Sequence, residues 1–402
     1  MMYQNKFFGY IFFIFALFPY VSFGTNTWDT QPFFIIFGII AGLIFILTGP
    51  VFSKSANLII ILLLILLTLC LKTDSFDFIF FRGLSSYLAF FVTLIVSIIF
   101  FQRNGVPIKL IVYSNIIYIL VAITQVLSGL SKNDIFNYLV LSNSFATPNR
   151  GVIGLTPEPT IFAILMFFMT WIYFIIYDYK PPGKIKILIA LNLMTILFLA
   201  KSSMVYVYFI TTAFFYLAAN LQNKKVILII FGIFVFFIAS FNFMMIIFPE
   251  SRFVHLSTIA GGLDGNIIER IIVMINFDAS INDRVLNVVF PYLGFLYNYG
   301  LPGGLHNFFS VSKALVGLTD GYFWAGLGSN KILSFVGAFI FELGVLGVYC
   351  FYYLYNLLKD KNSHIRFFEL SLLFVILNSS IPVAFPYVAI LMALLYFKKT
   401  NY

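Results

Sequence analysis

Arg150-Gly-Val-Ile-Gly-Leu-Thr-Pro-Glu158-Pro-Thr160 runs straight into Ile161-Phe-Ala-Ile-Leu-Met-Phe-Phe-Met-Thr-Trp-Ile-Tyr-Phe-Ile-Ile-Tyr177. The second piece carries no charge and, with its flanks, approaches the ~20 apolar residues that a helix needs to cross a bilayer. The first piece supplies its start. Thr156 is a favourable N-cap, and Pro157 and Pro159 suit a first turn, where a missing N–H leaves nothing unsatisfied. Glu158 then falls at the positive end of the helix dipole. Glycines let Arg150 approach closely, so a guanidinium and a carboxylate meet at one membrane face. Taken alone, this reads as an ordinary helix start with a dipole-stabilising Glu and an interfacial arginine, and the rest of the chain shifts that weight.

With 61% hydrophobic and 10% charged residues among 402, and a mean hydropathy of +1.01, the composition excludes a water-soluble fold. We read residues 1–402 as a single polytopic membrane domain. The net charge of +9 does not point to nucleic acid, because the lysines sit in short loops between apolar runs. Cys70 and Cys350 fall inside those runs, which suits packing and offers neither a disulfide framework nor a metal cluster. Lys6 followed by Phe7 to Phe23, with Ser22 and Gly24, has the form of a signal peptide. An uncleaved first span is the better reading, since the loop charges then alternate.

Twelve spans are predicted, at 7–24, 32–50, 57–72, 84–102, 107–128, 157–177, 185–200, 203–221, 226–248, 331–357, 366–381 and 383–397. The fold class is therefore all-α, with about twelve transmembrane helices and both termini cytoplasmic. On this count 14 of the 24 basic residues lie in short inner loops, and 12 of the 15 acids lie outside or at the outer face. Twelve of 17 lysines are inner, whereas five of seven arginines (Arg82, Arg150, Arg252, Arg270 and Arg284) are outer. Lysine suffices to orient a helix, while the planar guanidinium suits bidentate binding of phosphate or carboxylate.

Two outer segments exceed what a connection requires: a medium loop at 129–156 and a large one at 249–330. Within the second, 263–277 and 281–299 read as amphipathic helices lying on the membrane or capping a cavity. Aromatic and glycine-rich pieces follow, Pro302-Gly-Gly-Leu-His306-Asn and Gly321-Tyr-Phe-Trp324-Ala-Gly-Leu-Gly-Ser329-Asn330.

Glu342, two to three turns into the span 331–357, is a costly residue at that depth and so a functional candidate, or else a hydrogen-bonded structural one. Gly344 and Gly347 after it would let a neighbouring helix approach. Lys201-Ser202-Ser203 forms a tight outer turn suited to an anionic head group or to snorkelling. His255 and His306 are outer histidines able to act as a base or simply to be solvated. No metal or nucleotide phosphate-loop motif is present, so no cofactor is expected.

At this point the chain resembles the Wzy-type O-antigen and capsular repeat-unit polymerases. Arg150…Gly154…Glu158-Pro159-Thr160 is similar to their Arg…Gly…Glu-Pro-Ser, with Thr for Ser. Lys201-Ser202-Ser203 resembles the serine-rich turn that follows. Arg284 and Gly300 match an Arg-x15-Gly spacing in the large loop, a spacing that Arg150 lacks because position 166 is Met. Ser329-Asn330 leading to Phe341-Glu342-Leu-Gly344-Val-Leu-Gly347 resembles Asn…Glu-x-Gly-x-x-Gly. The likeness covers roughly 150–350.

The resemblance implies a metal-independent glycosyltransferase of the GT-C class in the bacterial inner membrane. It would transfer glycan from one undecaprenyl diphosphate carrier to a repeat unit on another, with a chain-length co-polymerase as a possible partner. Arg284 and Arg150 are assigned to the diphosphate, with Arg252, Lys201 and Ser202 as further contacts and Asn330 and Glu342 as substrate-binding. Glu158 is the first choice for the base and His306 the second. Tyr292, Tyr297, Tyr299, Tyr322 and Trp324 are candidates for sugar stacking or for interfacial anchoring. An O-antigen ligase, which moves finished chains to lipid A-core, shares the plan. A lipid-linked oligosaccharide flippase is the non-enzyme alternative. It would put charge at mid-depth along many spans, where here it is nearly confined to Glu342.

Overall fold

The computed structural model describes residues 2–22, 29–49, 53–73, 75–127, 140, 151–219, 273, 275–317, 319, 323–325, 330–360 and 364–400. They form helices α1 (Met2–Leu17), α2 (Phe33–Thr48), α3 (Ser53–Leu71), α4 (Phe78–Asn104), α5 (Ile108–Leu127), α6 (Pro159–Ile176), α7 (Gly183–Met194), α8 (Ser203–Ala219), α9 (Ala279–Tyr297), α10 (Phe308–Val316), α11 (Phe335–Leu343), α12 (Val345–Leu358), α13 (His364–Leu377) and α14 (Pro386–Thr400). A π-helical turn, Thr195–Ala200, extends α7. Among the described residues there is no strand, only a lone bridge from Val21 to Val140. Five helices (α3, α4, α5, α6 and α7 with its π turn) are long and apolar enough to cross a membrane, and α1, α2, α8 and α12 are shorter apolar helices.

Helices cover eleven of the twelve stretches expected to span. The twelfth, 226–248, lies outside the described residues, as do most of 129–156 and most of the helix expected at 263–277. The helix expected at 281–299 is α9.

The central pillars are α4 and α6, whose apolar windows are 78% and 89% buried, against 33% for α3 and 39% for α5, which present apolar side chains outward. Phenylalanine fills the interior: Phe90 and Phe339 meet edge to face and Phe13 stacks on Phe101. Polar contacts sort the helix ends into two sets. Lys331 meets Asp29 at 2.6 Å and His306 meets Asp77 at 2.9 Å, joining ends expected outside. Lys398 meets Asp178 at 2.9 Å, and the Lys399 ammonium donates to Leu357 O at 3.0 Å, joining ends expected inside. Each pair links ends that the charge pattern puts on the same face.

Three expectations change. The first helix ends at Leu17, where Pro19 follows, so 7–24 is too long for it. Thr156 is not the N-cap: α6 starts at Pro159, with Glu158 extended (φ −152°, ψ 158°) as its cap residue. The residue before a proline is pushed out of the helical region, and the consecutive Thr156-Pro157 and Glu158-Pro159 pairs delay the start by two residues.

The largest change is in 331–357, which is not one span. In a continuous helix Phe335 and Phe351 would lie ~24 Å apart; their rings are 6.2 Å apart, and Phe339 and Phe351 are 5.2 Å apart. The chain folds back at Gly344 (φ 60°, ψ −136°), and α11 and α12 form a helical hairpin. Its tip is bound by the glycine-rich segment after α9. Gly303 N–H donates to Phe341 O at 2.8 Å, Gly304 N–H to Glu342 O at 3.1 Å, and Val345 N–H to Gly300 O at 3.0 Å. Backbone groups freed by the break are thereby satisfied. Gly344 makes the reversal, and Gly347 lets α11 approach α12 closely, since a Cβ there would lie 1.9 Å from Phe339 O.

Candidate functional site

The segment 151–158 is fixed first. The Gln125 side chain clamps Gly154 (φ 57°) from both sides, donating to its carbonyl at 3.0 Å and accepting from its N–H at 2.9 Å. Val152 N–H reaches Leu199 O at 2.9 Å, and a Cβ on Gly151 would lie 2.1 Å from Ala200 O. Gln125→Leu would strand both Gly154 groups in a buried place, at about 1–3 kcal/mol for each. A clearly lowered melting temperature in detergent is the expected result, and an unchanged one would show that the clamp does not hold the segment.

This clamping sets the 151–158 segment against the turn after the π helix. There Lys201 adopts the left-handed conformation (φ 49°, ψ 37°), with burial pushing its ammonium pKa down. Beside it, Ser202 is buried, and its hydroxyl makes no hydrogen bond to the described residues. From the other side α9 brings Arg284, whose guanidinium donates to Thr160 Oγ1 at 3.2 Å across 124 positions of sequence. Asp283 is half-buried, and burial pushes its carboxyl up while the adjacent Arg284 pulls it down; Glu158 is near enough to raise it too. Glu158 is half-exposed and its side chain makes no cap hydrogen bond to α6, while Thr156 Oγ1 lies 2.7 Å from Ile153 O and 3.0 Å from the Glu158 carbonyl. Glu158, Lys201, Ser202 and Arg284 therefore belong to one neighbourhood. Arg150 and Arg252 lie outside the described residues, as does Tyr322.

Gly300, sixteen positions beyond Arg284, is not part of this neighbourhood. It sits at the far end of α9, with φ 78°, and accepts from Val345 at the hairpin tip. The spacing thus joins two ends of a helix rather than two groups at one centre.

His306, Asn330 and Glu342 gather elsewhere. Both ring nitrogens of His306 are engaged: Nε2 with Asp77 at 2.9 Å and Nδ1 with Thr73 Oγ1 at 3.3 Å. Thr73 sends its own proton to Ser75 O at 2.6 Å. His306 is therefore a tether between the loop and the start of α4. Asn330 Oδ1 accepts from Phe309 N–H at 2.8 Å, capping α10. Glu342 does not sit at mid-depth in a continuous span. It lies in the last turn of α11 at the hairpin tip, buried, and accepts from Tyr87 OH at 2.6 Å.

The tether has a pH signature. A hydrogen bond from Phe80 N–H, then one from His306, holds the Asp77 carboxyl at about 2. A depressed carboxyl contributes stability above its unfolded value near 3.8, and that contribution is lost as pH falls through the folded value. Wild type should therefore melt above Asp77→Asn at pH 5, with the gap closing between pH 4 and pH 2. A gap that persists at pH 2 would remove the Asp77 charge as its cause.

A pocket of about 450 Å³, counting its open mouth, lies between α4 and the hairpin. Its walls include Asp29, Arg82, Ser86, Tyr87, Lys331 and Glu342. Sequence reading counted Arg82 only as an outer arginine and passed over Asp29, Tyr87 and Lys331, because their partners lie 255 or more positions away. Tyr20 links the two neighbourhoods: its buried hydroxyl, without a hydrogen bond to the described residues, lies within electrostatic range of both Asp29 and Glu158.

No family model, curated protein or solved structure matches the chain.

Proposed function

We propose that this protein is a metal-independent membrane glycosyltransferase that joins oligosaccharide repeat units carried on undecaprenyl diphosphate. The product is an O-antigen or capsular polysaccharide, assembled at the outer face of the bacterial cytoplasmic membrane. The observation that carries this reading is Arg284 on Thr160 Oγ1 beside Glu158, with the Lys201 turn packed behind the same segment.

In the transfer, the acceptor hydroxyl forms a bond to the anomeric carbon of the donor glycan and loses its proton. The bond from that carbon to the carrier diphosphate breaks, and the diphosphate leaves with the electron pair. Arg284, backed by Lys201, offsets the charge that develops on it. Glu158 takes the proton, because neither Thr156 nor the helix terminus uses its carboxylate. Arg150 and Arg252, assigned from sequence, add cations to the diphosphate.

The test is the surface-polysaccharide profile of a deletion strain, complemented by wild type or by Glu158→Gln. Wild type should restore a ladder of chain lengths, and Glu158→Gln should leave single repeat units at wild-type protein abundance. Full activity of Glu158→Gln would eliminate it as the base. Polymer accumulating on its carrier in the deletion strain would indicate a ligase, and single units trapped on the inner face a flippase.

A further inference from the structure

We infer that the pocket between α4 and the hairpin tip is a sugar-ring subsite, recognising an uncharged or zwitterionic pyranose of the acceptor glycan, apart from the centre at Glu158 and Arg284. The inference rests on the glycosyltransferase reading and adds where the acceptor is held.

The argument begins with charge. Asp29 and Glu342 face Arg82 and Lys331, so acids and bases are equal in number and the pocket is not a purely cationic anion site. Next comes hydrogen-bonding capacity. Lys331 already meets Asp29 at 2.6 Å, and Tyr87 already meets Glu342 at 2.6 Å. A carboxylate accepts about four hydrogen bonds, and Glu342 receives one from the described residues. The Arg82 guanidinium, with its five donors, makes no hydrogen bond to them and sits within electrostatic range of Glu342. Donors and acceptors that the described residues do not engage thus stand side by side. Sugar hydroxyls, each of which donates one hydrogen bond and accepts two, need that combination, and a phosphate oxygen does not.

Shape supports the same occupant. Between the polar groups lie Leu305, Ile332, Pro382 and Val383, apolar surfaces suited to the C–H face of a ring. Leu305 comes in this close because position 83 is glycine: a Cβ there would lie 2.6 Å from the Leu305 side chain.

Arg82→Gln tests this cleanly. Arg82 is half-exposed, and its replacement breaks no hydrogen bond to the described residues. Purified protein in detergent would be mixed with methyl glycosides of hexoses, N-acetylhexosamines and uronic acids, and binding read by saturation-transfer NMR. Inorganic pyrophosphate binding would be read separately by calorimetry. At least one glycoside should give a signal that falls five-fold or more in Arg82→Gln and recovers in part in Arg82→Lys, while pyrophosphate binding stays unchanged.

Loss of pyrophosphate binding in Arg82→Gln, with glycoside signals intact, would make the pocket an anion site and overturn the inference. So would the absence of any glycoside signal in wild type, or signals indifferent to Arg82. The two readings fail separately. A repeat-unit phenotype in the deletion strain with Arg82-independent sugar binding sinks the subsite alone. Arg82-dependent sugar binding without that phenotype sinks the polymerase alone.

Discussion

Arg284→Ala is expected to cut polymer formation about 10²–10³-fold at wild-type protein abundance, the effect of removing one charge contact to a leaving group. The hydrogen bond to Thr160, 3.2 Å to a neutral hydroxyl, contributes on the order of 1 kcal/mol to stability. Arg284→Lys should recover only part of the rate, because an ammonium cannot hold two diphosphate oxygens as a planar fork does. Thr160→Val leaves the guanidinium but removes the hydroxyl that aims it, and should fall between the two. Ladder density on a gel, read beside an immunoblot of membranes, decides the matter. A full ladder from Arg284→Ala removes Arg284 from the chemistry, and a ladder that falls in step with protein amount makes its role structural.

The largest expected effect on stability is at Gly347. A methyl group there would lie 1.9 Å from Phe339 O, backbone against backbone across the hairpin, where no rotamer change can relieve it. Gly347→Ala should destabilise by about 3 kcal/mol or more, at the upper end of overpacking penalties. Gly42→Ala is the control. It lies in α2, where the added methyl would meet Val96 at an ordinary 3.5 Å, and replacing a helical glycine there gains about 0.5–1 kcal/mol. Thermal melts in one detergent should therefore move in opposite directions. Equal melting temperatures would mean that α11 and α12 do not fold back on each other.

What could be read from sequence was whatever depends on periodic hydropathy and on charge at helix ends. Runs such as Ile161–Tyr177 became helices, and loop charges met partners on the face to which they were assigned. The true start of α6 was legible too, had the rule for residues before proline been applied to Glu158 as well as the capping rule to Thr156. The hairpin was not. Residues on both sides of Gly344 are equally apolar, and hydropathy does not register a positive φ, so two antiparallel helices read as one. The pocket was hidden for another reason. Its walls come from segments scattered between Asp29 and Val383, and Tyr87 sits inside an apolar run where a hydroxyl counts for little. His306 was legible as an outer histidine, but its role depends on Thr73 and Asp77, which no spacing ties to it.

The bonds from Gly300, Gly303 and Gly304 to the hairpin tip bear on the order of synthesis. The ribosome delivers 300–304 well before Gly344, so the receptor for the turn already exists when α11 emerges. Insertion machinery that reads only apolarity would accept 331–357 as one crossing. The waiting glycine loop supplies a competing set of backbone partners and draws the chain into reversal. Reporter fusions that end at the tip, between Leu343 and Gly347, should therefore change apparent sidedness when 300–304 is deleted. Fusions placed before Asp278 or after Thr400 should not.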